Sequence, residues 1–412
     1  MIVYLARYVV PLLVLTGCSI PNQLLGSHES LLDDSAGHDW PIDDSGEPPT
    51  TEDTAVERLA WEIGPEEQAG SFEGSRPSIA VDVADQPHIV IDKDWSDTLY
   101  IYHKLGGSWS ESLFAQDNWG SDRNYLPHME IDAQDRAWIS SWYATSNVES
   151  ECGQGVWLLG DMSTAPSEVF HTKIYITWAN GNLSIDPFQP DRAPVMAREG
   201  NWQEVDSTGA VVDSGLHELG ITGEKLRFLI APRDGQQGVW HGVMGGYNQS
   251  ESAYRSSLMD STVTWASYSA YDEQGEDTRH PGLGLDGDDP TVAYIAVDYD
   301  PGVVINVWNG QALVFDASAL PVIDPDPASN GNGVDRFGPQ WAPRHGGGAF
   351  LCWSGADGWV HLVDVYSDGR IGEPQAVTEG SRCAMATDTR GRLHMAYVNG
   401  GMRYRLLLPP TE

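Results

Sequence analysis

From Glu57 onward, short apolar runs alternate with clusters of Gly, Asp, Asn and Pro, and no long stretch carries the 3.6-residue period of a helix. The pattern predicts an all-β chain. Within it a unit recurs. Arg76-Pro77-Ser78-Ile79-Ala80-Val81-Asp82, a turn, and Gln86-Pro87-His88-Ile89-Val90-Ile91-Asp92 is matched by Leu126-Pro127-His128-Met129-Glu130-Ile131-Asp132, a turn, and Arg136-Ala137-Trp138-Ile139. It returns at Arg279-His280-Pro281-Gly282-Leu283-Gly284-Leu285-Asp286 and at Arg382-Cys383-Ala384-Met385-Ala386-Thr387-Asp388. Weaker copies begin near Lys225 and Arg336, and a degenerate one lies between Lys173 and Leu219.

Each unit reads as an apolar strand, a tight Asp-containing turn, a second apolar strand, a polar third and a Trp-bearing fourth such as Ser108-Trp109-Ser110-Glu111-Ser112-Leu113. Four strands per unit at roughly 45 to 55 residues is the sequence signature of a β-propeller. Seven units are counted, with six or eight open because residues 150–222 divide poorly. The last unit stops three strands in, after Met402-Arg403-Tyr404-Arg405-Leu406-Leu407, while Glu57-Arg58-Leu59-Ala60-Trp61-Glu62-Ile63 stands unpaired before the first. This N-terminal strand is expected to complete the last blade and remove a long exposed edge. Cys352 and Cys383 then fall on neighbouring blades, within reach of a disulfide if the geometry allows.

Residues 1–19 hold one cation, Arg7, and an apolar run too short for a membrane-spanning helix, as in a cleaved signal peptide. Leu15-Thr16-Gly17-Cys18 resembles the lipobox of bacterial lipoproteins, which implies cleavage after residue 17 and lipidation of Cys18, and Ser19 fits transfer to the outer membrane or cell surface. Residues 27–57 carry ten Asp or Glu and no Lys or Arg, so residues 18–56 read as an acidic disordered tether and 57–408 as the propeller. A net charge of -37 excludes nucleic acid as a partner, since phosphate binding needs a basic footprint. With Cys18 lipidated, Cys152, Cys352 and Cys383 are expected in an oxidising compartment, where an odd count leaves at least one thiol free.

Propeller ligands sit where the innermost strands begin, and arginine recurs there: Arg76, Arg123, Arg227, Arg279, Arg336 and Arg382 are six of 23 basic residues. Converging guanidinium groups suit carboxylate or sulfate; equally, each can pair with an acid of the next blade and recur because the blade recurs. Tyr125 and His128 after Arg123, with Asn124 beside them, and His280 after Arg279, are candidate catalytic groups able to take a proton alpha to a uronate carboxylate. His241 and Tyr247 are further candidates; His88 and His394, on second strands, read as structural. No cofactor or metal is expected, although the loop Asp324 to Asp335 offers calcium-type oxygen ligands without the spacing of an EF-hand. No Gly-x-Ser-x-Gly, His-Glu-x-x-His, phosphate loop or Cys-x-x-Cys occurs, which leaves serine-hydrolase, zincin and nucleotide chemistry without support.

Through these Arg-x-Pro inner strands and Asp-turn hairpins, residues 57–408 resemble the sialidase-like and BNR-repeat-like secreted propellers. Arg279-His280-Pro281-Gly282-Leu283 is similar to the Arg-Ile-Pro-x-Leu segment of sialidases, which implies a carboxylate-binding role for Arg279. The Ser-x-Asp-x-Gly-x-Thr-Trp boxes of that family are absent. The sequence therefore reads as a monomeric lipoprotein of the bacterial cell envelope whose funnel binds an anionic glycan. A polysaccharide lyase or glycosidase in the same funnel, and a protein-interaction scaffold, stay open.

Overall fold

The computed structural model describes residues 61–72, 77–92, 98–115, 122–145, 152–160, 167–174, 182–185, 195–198, 201–216, 225–234, 237–245, 251–258, 266–271, 279–289, 292–299, 302–308, 313–317, 340–355, 357–368 and 370–409. Their strands form seven antiparallel sheets that follow one another along the chain. Sheet 1 holds Ser78–Val81, Pro87–Asp92, Leu99–Leu105 and Ser108–Ala115. Sheet 2 holds Asp122–Ile131, Ala137–Thr145, Cys152–Leu159 and Ser167–Ile174, and sheet 3 Asn182–Ser184, Val195–Arg198, Asn201–Val205 and Val211–Leu216. The stretch that divides poorly in sequence thus contains the end of one sheet and the whole of the next. Sheets 4 to 6 open with Lys225–Asp234, Arg279–Leu285 and Gln340–Pro343. First strands of consecutive sheets lie against one another, and the first strand of sheet 7, Ser381–Thr387, lies against Ser78–Val81 of sheet 1.

Sheet 7 continues with Leu393–Val398 and Met402–Leu408, and residues from the start of the described chain complete it. Glu62 and Ile63 pair with Leu408 and Leu407, and a second short strand, Glu67–Gly70, pairs with the same partner through Glu67 and Tyr404. The closing strand is therefore two pieces, one of which the sequence pattern does not announce. Gly64-Pro65 interrupts it, and Gly64 still donates its N–H to Leu406 O at 2.8 Å. Residues 57–60 of the expected strand lie outside the described residues.

The Asp turns are what shape the hairpins. Asp82 Oδ1 accepts the N–H groups of Ala84 and Gln86 at 2.9 and 2.7 Å, and Asp132 and Asp388 repeat this with Gln134 and Arg136, and with Arg390 and Arg392. The second oxygen reaches the second strand: Asp82 to His88 Nε2 (3.1 Å), Asp132 to Trp138 Nε1 (2.8 Å), Asp286 to Tyr294 OH (2.7 Å) and Asp388 to His394 Nε2 (3.1 Å). One carboxylate thus fixes the turn and the strand after it. The fourth turn residue is left-handed, at φ 59° in Asp85 and Asp135 and 75° in Gly391, which Asp and Gly tolerate. Neighbouring turns are stitched together: Val83 N–H donates to Asp135 Oδ1 at 3.1 Å, and Thr389 Oγ1 to Asp85 Oδ1 at 2.7 Å, linking sheet 7 to sheet 1 to sheet 2.

Three of the second strands are covered on both faces. Pro87–Asp92, Ala349–Ser354 and Leu393–Val398 are buried throughout. Separate cores fill the spaces between sheets. Val90, Ile101, Met129 and Trp157 join sheets 1 and 2, Ile89, Tyr102, Ala396 and Tyr404 join sheets 1 and 7, and Phe350, Leu362, Met385 and Tyr397 join sheets 6 and 7.

Candidate functional site

Three first strands carry a β-bulge near their start. In sheet 2 the register shifts between Tyr125, opposite Trp142, and His128, opposite Ser140; in sheet 5 between Arg279, opposite Asp298, and Gly282, opposite Ala296; in sheet 7 between Ser381, opposite Val398, and Ala384, opposite Ala396. Each adds one residue to the inner strand at the same end, where a bulge re-aims side chains and stops regular pairing. His280-Pro281 and Arg382-Cys383 are thus equivalent pairs, and Leu126-Pro127 is the third.

Among the predicted ligand groups that the structure describes, Arg382 stands out by its backbone. Among the described residues only Asp85, Asp135 and Arg382 are non-glycines with positive φ, and Arg382, at 57°, lacks the short polar side chain that eases this conformation. It is held from both sides. Its N–H donates to Ser354 Oγ of sheet 6 at 2.7 Å, and the next residue, Cys383, is disulfide-bonded to Cys352 of sheet 6. The pairing expected from neighbouring blades is present. A long cation kept left-handed by a bulge, a hydrogen bond and a covalent link is a strained residue of the sort that clusters at binding sites.

The other arginines do not share its register. Arg123 stands opposite Ala144, before the bulge; Arg279 stands opposite Asp298 at the bulge edge; Arg227 stands opposite Val243, far from the shift that sheet 4 carries between Ile230 and Arg233. These three lie within the first three residues of their strands, but the offset varies because a bulge changes the count of residues without changing the apolar pattern. Arg76 and Arg336 lie outside the described residues, as do Cys18, the tether and the loop 324–335. Tyr125 and His280 are placed by backbone register only. Among the described residues no group of three or more His, Cys, Asp or Glu is placed to hold a metal.

His128 is brought to a carboxylate that sequence reasoning missed. Its Nε2 lies 2.9 Å from Glu130 Oε1, and Glu130 Oε2 accepts the N–H of Ile185, the residue just after the first strand of sheet 3, at 2.5 Å. Spacing of two on a strand puts both on one face, which is the signal the sequence did offer. His128 and Glu130 side chains are 31% and 21% exposed.

The remaining histidines of these hairpins are buried and structural, as expected for His88 and His394. Burial tends to raise the Asp82 carboxyl, but hydrogen bonds from His88 and from backbone N–H groups outweigh it and hold it below the ordinary value. The ionised carboxylate only accepts, so His88 carries its proton on Nε2 and accepts at Nδ1 from His103 Nδ1, 2.9 Å away. His103 Nε2 is left as a buried lone pair without a partner among the described residues. Sheet 7 has the same relay with tyrosine in third place, Tyr404 OH donating to His394 Nδ1 at 2.9 Å.

Burial, and then the neighbouring His88, push His103 from the ordinary 6.5 down to about 4. A folded value below the unfolded one means the stability is complete above pH 6.5 and is lost as pH falls toward 4, by ~3 kcal/mol in total. His103→Gln, which keeps a donor toward His88, is expected to flatten the fall of the denaturant midpoint between pH 6.5 and 4.5. Parallel wild-type and variant curves would refute this assignment.

No family model and no curated protein matches this chain. Solved structures do. BBS1N, crystallised in complex with ARL6DN, is similar with a TM-score of 0.51 at 12% identity, over 86% of this chain and 99% of that one. A Hadza microbial sialidase is similar at 0.47 and 9% identity over 82% and 68%, and an Aleuria aurantia lectin solved with Fucalpha1-6GlcNAc at 0.43 and 12% over 83% and 99%. The fold is an all-β propeller type. Identities this low speak to the fold alone.

Proposed function

We propose that this chain is a lipid-anchored extracytoplasmic propeller of seven four-stranded blades, closed by its N-terminal strand, that binds an anionic glycan through arginines at the mouth of its inner strands. The anchor is Cys18 after removal of residues 1–17, and residues 18–56 are the tether. The observation that carries the binding reading is Arg382, a strained cation pinned at the bulge where the first strand of sheet 7 begins. A guanidinium offers the planar pair of donors that a carboxylate or sulfate requires, and backbone strain of this kind, held by a disulfide and a cross-sheet hydrogen bond, is concentrated at binding sites. The enzymatic reading, lyase or glycosidase, draws on His128, whose carboxylate partner gives it the arrangement of a proton-transfer group.

The test incubates the chain with polygalacturonate, chondroitin sulfate, a sialylated oligosaccharide and a neutral glucan, following both retention and new chain ends. Arg382→Gly is expected to leave stability within about 1 kcal/mol of wild type or to raise it, because glycine accepts the left-handed conformation. The same variant is expected to weaken retention on the anionic polymers, as is Arg279→Ala. New chain ends that vanish in His128→Ala and Tyr125→Phe would make the protein a depolymerase. Neither retention nor cleavage on any polymer would sink both glycan readings and leave the scaffold.

A further inference from the structure

The bulge at Leu126-Pro127 does more than shift a register. Tyr125 stands opposite Trp142 and His128 opposite Ser140, so positions 125 and 128 fall on one face of the sheet although they are three apart, and Glu130, opposite Trp138, falls there too. His128 is unlike His88, His103 and His394: it lies on a first strand, its side chain is 31% exposed, and among the described residues only its Nε2 is engaged. Glu130 is anchored at both oxygens, by the His128 ring and by the Ile185 N–H just after the first strand of the next sheet. A carboxylate receiving a backbone N–H is an acceptor, so the imidazole must face it with a protonated Nε2.

We propose that Glu130 is a positioning residue, holding His128 as the Nε2–H tautomer so that Nδ1 presents a lone pair that accepts a saccharide hydroxyl. This rests on the glycan reading above and deepens it. The chemistry selected is a neutral, directional one: a hydroxyl beside the anionic group that the arginines take. Specificity among polyuronates would then depend on hydroxyl orientation as well as on charge. Both the exposure of the ring and the double anchoring of its partner follow from this role, whereas a purely structural histidine is satisfied by burial, as His394 is between Asp388 and Tyr404.

Glu130→Gln tests it on the full chain. The amide oxygen still accepts the Ile185 N–H, but the amide nitrogen turned to His128 is a donor, so the ring must reverse to Nδ1–H. Nitrogen-15 spectra of histidine-labelled protein, with His128 assigned from His128→Phe, are expected to show Nε2 protonated in wild type and Nδ1 protonated in the variant. Affinity for a polygalacturonate oligosaccharide is expected to drop roughly tenfold, with no further loss when Glu130→Gln is added to His128→Phe. An unchanged tautomer, or a reversed tautomer with unchanged affinity, would overturn the proposal. Reversal with no binding by either protein would support the positioning role and overturn the glycan reading instead.

Discussion

Deleting residues 1–70 is expected to remove the cooperative unfolding transition or lower its midpoint by well over 10 °C, and a peptide spanning 59–72 added in trans is expected to restore part of it. The segment that closes sheet 7 does far more than add a strand. Trp61 is buried in the core between sheets 6 and 7, edge-on to Phe350 at 5.1 Å, with its Nε1 donating to Asp364 Oδ2 at 3.3 Å. Glu66 accepts from Tyr397 OH at 2.5 Å and lies within ion-pair distance of Arg403 and Arg405 in sheet 7. Glu67 turns the other way, accepting from Lys104 Nζ at 2.6 Å and Trp109 Nε1 at 2.9 Å in sheet 1. Gly70 sits against the Tyr102 ring, where any Cβ would lie 2.3 Å from it.

Ten residues therefore bind three sheets. Without them Met402–Leu408 becomes an open edge with unpaired backbone groups, and the sheet 6–7 and sheet 7–1 cores lose their lids. Large-to-small replacement of a buried Trp commonly costs 3–5 kcal/mol, so Trp61→Ala alone is expected to lower stability by about 3 kcal/mol. Glu67→Gln should cost less than about 1 kcal/mol, since its ion pair is partly in water. Calorimetry of the three variants checks the order. A truncated chain melting at the wild-type temperature would show that the segment is decoration.

The parts of this fold that are legible in the sequence are those in which one residue dictates its own surroundings. Asp82, Asp132, Asp286 and Asp388 mark hairpins because a carboxylate two bonds from the backbone can only bond the turn that follows it. Pro87–Asp92 and its equivalents read as covered strands because their apolar residues follow one another without alternation, and the histidines among them, His88 and His394, are taken up by the Asp of the preceding turn. What the sequence hides depends on a partner. A bulge is a mismatch between two strands, so the register of Arg382 against Arg279 cannot be read from either strand alone. The second closing strand, Glu67–Gly70, is too short and too polar for periodicity, and its pairing with Met402–Leu408 joins residues more than three hundred positions apart. Glu130 was visible as His-x-Glu, but its second anchor, Ile185, follows the first strand of the sheet whose repeat is most degenerate.

Replacing Cys352 and Cys383 together by alanine is expected to cost about 3.5 kcal/mol and to lower the midpoint of thermal unfolding by roughly 5–8 °C. The bond closes a loop of sequence separation 31, which in the chain-entropy account removes that much freedom from the unfolded state. Its position gives the loss a second consequence. Cys383 is the bulge residue next to Arg382, and Cys352, wholly buried, sits on the second strand of sheet 6, two residues before the Ser354 hydroxyl that takes the Arg382 N–H. Loss of the sulfur link removes the covalent restraint next to Arg382 and eases its relaxation out of the left-handed region. Retention on an anionic glycan should therefore weaken at temperatures where the variant is still fully folded. Because both sulfurs are buried, a mild reductant should act on the native protein only as fast as it unfolds, and the reduced chain should match the double-alanine variant. A double variant with the wild-type melting temperature and full retention would sever both arguments, for the disulfide as a brace and for Arg382 as the group it aims.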